Sequence, residues 1–183
     1  MREKKAILVI VTLFSFLVFG ITPITLKAQP PLKDLRVIGN SINFSFYTLG
    51  QMETGITLTG WTKVELKYQY TSKDPWKLVV YSLEDAIKYE GDASNDIPLN
   101  QLEFITTITS TNDASAAVSP TFELSMLDSA PESVLVSGNG LVPPTVVDVN
   151  LTITYRLGTP PNIMLNKPGG LYYTALRFLL VEQ

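Results

Sequence analysis

This sequence predicts an all-β fold: an antiparallel β-sandwich of the immunoglobulin-like or jelly-roll kind, with roughly seven or eight strands, following an N-terminal signal peptide. Three observations predict it. Apolar and polar residues alternate with period two through most of the chain. Clusters of Gly, Pro, Ser and Asn separate the alternating segments, and helical periodicity is absent at any useful length.

The chain opens on a basic start, Arg2, Lys4 and Lys5, and continues in an uncharged, mostly apolar run from Ala6 to Ile21. Pro23 interrupts any helix, and Leu26-Lys27-Ala28 offers a small residue for cleavage. Basic head, apolar middle and small-residue end predict a secretory signal over residues 1–28, either cleaved or kept as an anchor. Its 16-residue apolar run is shorter than the roughly 20 residues that span a bilayer. No second long apolar run follows, so no membrane span is expected after signal removal. Residues 29–40, with Leu32, Leu35, Val37 and Ile38, read as a leader or a first strand, and residues 41–183 as a single β-sandwich domain.

Within that domain Ile42, Phe44, Phe46 and Thr48 face one way while Asn43, Ser45 and Tyr47 face the other. Val64, Leu66, Tyr68 and Tyr70 alternate with Lys63, Glu65, Lys67 and Gln69, which predicts a half-buried strand. The turn Ser72-Lys73-Asp74-Pro75 introduces a more apolar strand over Trp76 to Tyr81. Glu84 to Glu90 reads as one helical turn. Leu102 to Thr109, Thr121 to Met126 and Val134 to Ser137 are further strands. Val147 to Leu157 alternates most cleanly of all, and a final strand runs from about Leu171 to Val181. Between them lie turns rich in Gly and Pro: Ser137-Gly138-Asn139-Gly140, Gly158-Thr159-Pro160-Pro161 and Pro168-Gly169-Gly170. A closed barrel is the alternative; a membrane barrel is disfavoured, because the alternate faces carry Lys, Glu, Asp and Asn instead of an apolar band.

Loss of residues 1–28 leaves 155 residues with 10 basic and 16 acidic side chains, a net charge of −6. Such a chain lacks the basic footprint that nucleic acid or anionic lipid requires. The sequence contains no cysteine and no histidine. The first absence excludes disulfides, thiol catalysis and thiolate metal sites, and fits a bacterial exported domain. The second removes the commonest general base and any Ser-His-Asp arrangement. No nucleophile–base pair is evident, and no catalytic residue is assigned: the expectation is a protein that is not an enzyme and needs no cofactor.

Two constellations remain as binding candidates. Asp92, Ser94, Asp96, Asn100 and Glu103 fall at positions 1, 3, 5, 9 and 12 of a helix–loop–helix calcium loop. Position 6, which needs glycine, is Ile97, and Pro98 follows. The stretch therefore reads as a solvated acidic loop, with calcium held by Asp92, Ser94 and Asp96 in another geometry as the alternative. Aromatics are the second candidate. Alternating aromatics in a sandwich mostly fill the core; Trp61, Tyr81 and Tyr173 are the ones expected at the surface, where they would stack on sugars.

Two stretches carry a resemblance. Trp76-Lys77-Leu78-Val79-Val80 resembles the first Trp-x-Leu signature of the WxL cell-surface domains. The segment from Pro168 through Tyr172 and Tyr173 to Phe178-Leu179-Leu180 is similar to their closing strand, with Phe178 where that signature has its second tryptophan. The same layout of Pro-Gly turn, tyrosine and terminal strand is found in fimbrial-type and spore-coat-U-like secreted β-sandwiches. The resemblance implies a surface or extracellular role, carried by Trp76, Leu78, Phe178 and Leu180, with cell-wall attachment in the WxL case. In fimbrial-type assemblies a segment such as residues 29–40 would complete a neighbouring copy.

The sequence thus predicts an exported protein, periplasmic, cell-surface or extracellular. It would be a non-catalytic structural or adhesion domain that binds an envelope component or extracellular polymer, or associates with itself. A carbohydrate-binding module using exposed aromatics is the alternative.

Overall fold

The computed structural model describes residues 32–69, 72–120, 122–127, 132–143 and 145–183. The expected signal over residues 1–28 and the first residues of the expected leader lie outside these. Leu32–Ile38 forms β1 and Ser41–Phe46 β2, and a short helix α1 follows at Leu49–Thr54. Then come β3 (Ile56–Gln69), β4 (Trp76–Ser82), β5 (Ala86–Tyr89), β6 (Ile97–Pro98), β7 (Glu103–Thr111), β8 (Ala117–Val118), β9 (Ser125–Met126), β10 (Val134–Gly138), β11 (Val147–Leu157) and β12 (Gly170–Glu182).

These strands make two sheets. One has four strands in the order β1-β3-β11-β7. The other has eight, β6-β5-β12-β4-β10-β8 with β2 on β12 and β9 on β4. All pairings are antiparallel except the two-residue match of β9 to β4. Successive long strands lie in opposite sheets, so the chain crosses the sandwich again and again. The predicted all-β sandwich is what forms.

The alternation read from the sequence is the reason. In β11 the inward residues Val147, Val149, Leu151, Ile153, Tyr155 and Leu157 are all at most 2% exposed. Each such side chain contributes about 1.5–3 kcal/mol of burial, so a one-residue slip of register would turn all of them to solvent. They meet Ile42, Phe44 and Phe46 of β2 and Trp76, Leu78 and Val80 of β4 in one hydrophobic cluster. On the outward faces of β3 and β11 the register sets Lys67 beside Asp148 and Glu65 beside Asn150.

The segment expected as leader or first strand is β1, matched to β3 from Leu32↔Gln69 to Ile38↔Lys63. It then changes sheet: β1 pairs with β3, whereas β2 pairs with β12. The switch occurs at Gly39, whose φ of 81° favours glycine, and a Cβ there would come within 2.5 Å of the Trp61 carbonyl oxygen. Thr62 Oγ1 donates to the Gly39 carbonyl and accepts from the buried Tyr155 hydroxyl at 2.7 Å, fastening the crossing to β11.

Three elements differ from expectation. The segment expected to be helical, Glu84 to Glu90, contains the strand β5; Ile87 is fully buried, and Lys88 and Tyr89 pair with Tyr173 and Tyr172 of β12. Tertiary pairing outweighs the weak helical preference of a short acidic stretch. Of the strand expected over Thr121 to Met126, Thr121 lies outside the described residues, and among the rest only Ser125–Met126 is paired. The helix α1 was not anticipated. It is held by a capping box, in which Gln51 N donates to Thr48 Oγ1 (3.2 Å) and Thr48 N donates to Gln51 Oε1 (3.1 Å).

Candidate functional site

The motif residues that resemble cell-surface signatures are interior. Pairing of β4 with β12 sets Leu180 opposite Leu78 and Phe178 opposite Val80. Trp76 and Leu78 are fully buried, Phe178 is 8% exposed, and Leu180 packs against the same cluster. Trp76 Nε1 donates to Asp113 Oδ2 at 3.0 Å. Asp113, itself buried, also accepts from Gly140 N at 3.1 Å and from Ser115 N and Oγ at 2.9 and 2.5 Å. Burial pushes its pKa up, but the hydrogen bonds from Ser115, Trp76 and Gly140 together outweigh burial and hold the carboxyl below its ordinary value. Gly138 makes this approach possible: a Cβ there would lie 2.6 Å from Trp76 Nε1 and 2.7 Å from Asp113 Oδ2. The Trp-x-Leu stretch therefore locks a core together.

The Pro-Gly turn has a similar explanation. Tyr172 OH donates to the Pro168 carbonyl (2.8 Å) and Tyr89 OH to that of Gly169 (3.0 Å), with the two rings 4.9 Å apart. Burial is the main reason that the Tyr172 hydroxyl is pushed up to about 12.

The acidic loop is occupied by protein groups. Asp92 Oδ1 accepts from Ser94 N at 2.9 Å and starts the 3₁₀ turn Ala93–Asn95. Asp96 accepts from Lys88 Nζ at 3.0 Å and Tyr89 N at 2.9 Å, and Lys88 also bridges to Asp85 at 2.6 Å. Among the described residues no three acidic side chains converge as metal ligands would. Asp92, Ser94 and Asp96 are spent on a turn and an ion pair, where a calcium site would need them to converge.

The three surface aromatics do not behave alike. Tyr81, expected to be exposed, is only 8% exposed. It lies on a central strand, flanked by Arg177 of β12 and Ser125 of β9. Trp61 and Tyr173 are 43% and 40% exposed. They belong to different sheets, yet β2 links them. Trp61 Nε1 donates to the Ser41 carbonyl at 2.9 Å, and Tyr173 is the register partner of Asn43. Tyr47, at 71% exposure, follows the last residue of β2.

Among the described residues β2 pairs on one side alone, with β12. Leu176 N donates to Asn40 O at 2.9 Å, which sets the phase of the ladder: main-chain groups of Ile42 and Phe44 turn to β12, and those of Ser41, Asn43 and Ser45 turn to the free edge. The result is a lane about 20 Å long at about 3.3 Å per residue, with Trp61 at Ser41, Tyr173 beside Asn43, and Tyr47 at the far end. Sequence reasoning missed Tyr47. Its outward position in the alternation of Ser41, Asn43 and Ser45 was the available signal.

A concavity lies on the outward face of the four-stranded sheet. It is an open groove of about 350 Å³ lined by Ser110, Thr111, Asn112, Asp148 and Asn150. No protein-family model matches this sequence, and no curated protein matches it at a significant level.

Proposed function

We propose that this chain is an exported, non-catalytic binding domain of the cell envelope or extracellular space, which holds an extended polymer along β2. The observation that carries this reading is the row of exposed aromatics along β2: Trp61 of β3 bonded to Ser41, Tyr173 of β12 paired with Asn43, and Tyr47 just past Phe46. Flat ring faces separated by the small polar side chains of Ser41, Asn43 and Ser45 suit a polysaccharide, whose sugar rings are apolar on one face and hydroxylated at the rim. The N-terminal segment and the resemblance to secreted surface β-sandwiches support the location. The partnered carboxylates support holding in place of reacting: Asp113 is saturated with donors, Asp96 is paired with Lys88, and Glu103 faces Arg156 at 3.3 Å.

The test is a glycan array or polysaccharide pull-down with the processed chain. Trp61→Ala and Tyr173→Ala should each abolish retention while leaving the folded spectrum intact; retention by no glycan at all would end the polysaccharide reading. The main-chain groups of Asn43 and Ser45, without a strand partner among the described residues, also favour self-association by strand addition. Light scattering decides that second reading: a monomer at every concentration removes it.

A further inference from the structure

The groove at the end of β7 and β11 is built by a defect in the ladder. The register of these strands runs Asn150↔Ser110 and then Leu151↔Ile108, so Thr109 is an extra residue. Its hydroxyl donates to the Asn150 carbonyl at 3.0 Å, and the bulge thereby swings Ser110 to Asn150. Bulges of this kind re-aim side chains beside sites.

The groove's polar atoms divide into two sets. One set is committed to the fold: Asn112 Nδ2 donates to Val146 O (2.8 Å), and Asn112 Oδ1 accepts from Asp148 N (2.8 Å). Asn150 Nδ2 donates to Ser110 Oγ (3.0 Å) and to Asp148 Oδ1 (3.3 Å). Thr111 Oγ1 is spent on the turn at Asp113. The other set has no protein partner among the described residues: Asp148 Oδ2 and Asn150 Oδ1 as acceptors, and the Ser110 hydroxyl proton as a donor. Asp148 and Asn150 are half-buried, and their positions are fixed by the bonds just named.

From this arrangement we infer a second binding site, for one hydroxyl-rich ring of a neutral sugar. A sugar hydroxyl both donates and accepts. Two adjacent hydroxyls would donate to the Asp148 carboxylate and the Asn150 carbonyl while one accepts from Ser110. The groove is open and lined by polar side chains, so it would hold one ring by hydrogen bonds along a single edge. Thr111 and Asn112 form the exposed rim. This site does not depend on the β2 lane and lies on other strands.

The experiment is an amide NMR titration of the processed chain with a panel of monosaccharides: glucose, mannose, galactose, rhamnose and N-acetylglucosamine. At least one sugar should shift the amides of Ser110–Asn112 and Asp148–Asn150. Asp148→Asn should weaken that sugar about tenfold, with Asn150→Ala as the second variant should the first perturb the fold. Calcium chloride is the control arm. The proposal is overturned if no sugar moves these amides, if calcium moves them and no sugar does, or if shifts appear only around Trp61 and Tyr173. The last result would leave the lane standing alone.

Discussion

The two tryptophans of this chain satisfy the same indole N–H in opposite ways. Trp76 is fully buried and donates to the carboxylate of Asp113; Trp61 is 43% exposed and donates to the edge carbonyl of Ser41. Each is a large ring on a β-strand, and each has a partner for its polar atom. The difference is where the strand alternation points them. In β3 the inward set is Thr62, Val64, Leu66 and Tyr68, which leaves Trp61 on the outer side with Lys63 and Glu65. In β4 the inward set begins with Trp76 itself. A buried tryptophan whose N–H meets a carboxylate is a structural lock, whereas an exposed one held by its edge leaves part of its ring open to solvent.

That contrast can be broken at several points. Trp76→Ala should be the most damaging change, destabilising by about 3–5 kcal/mol through the cavity it leaves, as measured by urea unfolding. Asp113→Asn should cost about 2–3 kcal/mol, because it removes charge-assisted bonds from Ser115 and Trp76 inside the core. It should also change the acid limb. Asp113 titrates lower in the folded chain than its unfolded value of about 3.9, so the carboxylate stabilises the fold above that pH. This contribution is lost as pH falls through the folded value. The wild type should therefore lose stability on acidification more steeply than Asp113→Asn, and parallel curves would contradict the lock. Trp61→Ala should have the smallest effect on stability, about 1 kcal/mol or less, with the largest on polymer retention. Should Trp61→Ala unfold the chain as Trp76→Ala does, the lane would be part of the core and the contrast would collapse.

Legibility in the sequence followed sequence distance. β11 matched its alternating stretch from Val147 to Leu157, and β4 and β12 were readable from their apolar runs. The turn before Tyr172 was recognisable, although its cause, a hydroxyl reaching back to Pro168, was not. Tyr81 was misread because a one-dimensional pattern shows which face a side chain takes and not whether a neighbouring strand covers that face. Its partners on the flanking strands are Arg177 and Ser125, both more than 40 residues away in the chain. Ile87 was misplaced in a helical turn for the same reason, since its strand exists by virtue of β12 and β6. The groove left no sequence signal at all. It arises where a bulge at Thr109 sets two strands some 40 residues apart out of step.

The sequence by itself determined the fold class, because a period-two pattern of polarity can bury its apolar half only between sheets. It also determined which face of each long strand is greasy. Only the tertiary structure decided which strands are neighbours, and hence that Trp61, Tyr173 and Tyr47 lie along β2 while Asp148 and Ser110 share a groove. Polarity along a strand is a local property, whereas adjacency between strands is a global one fixed by the pairing of the whole chain.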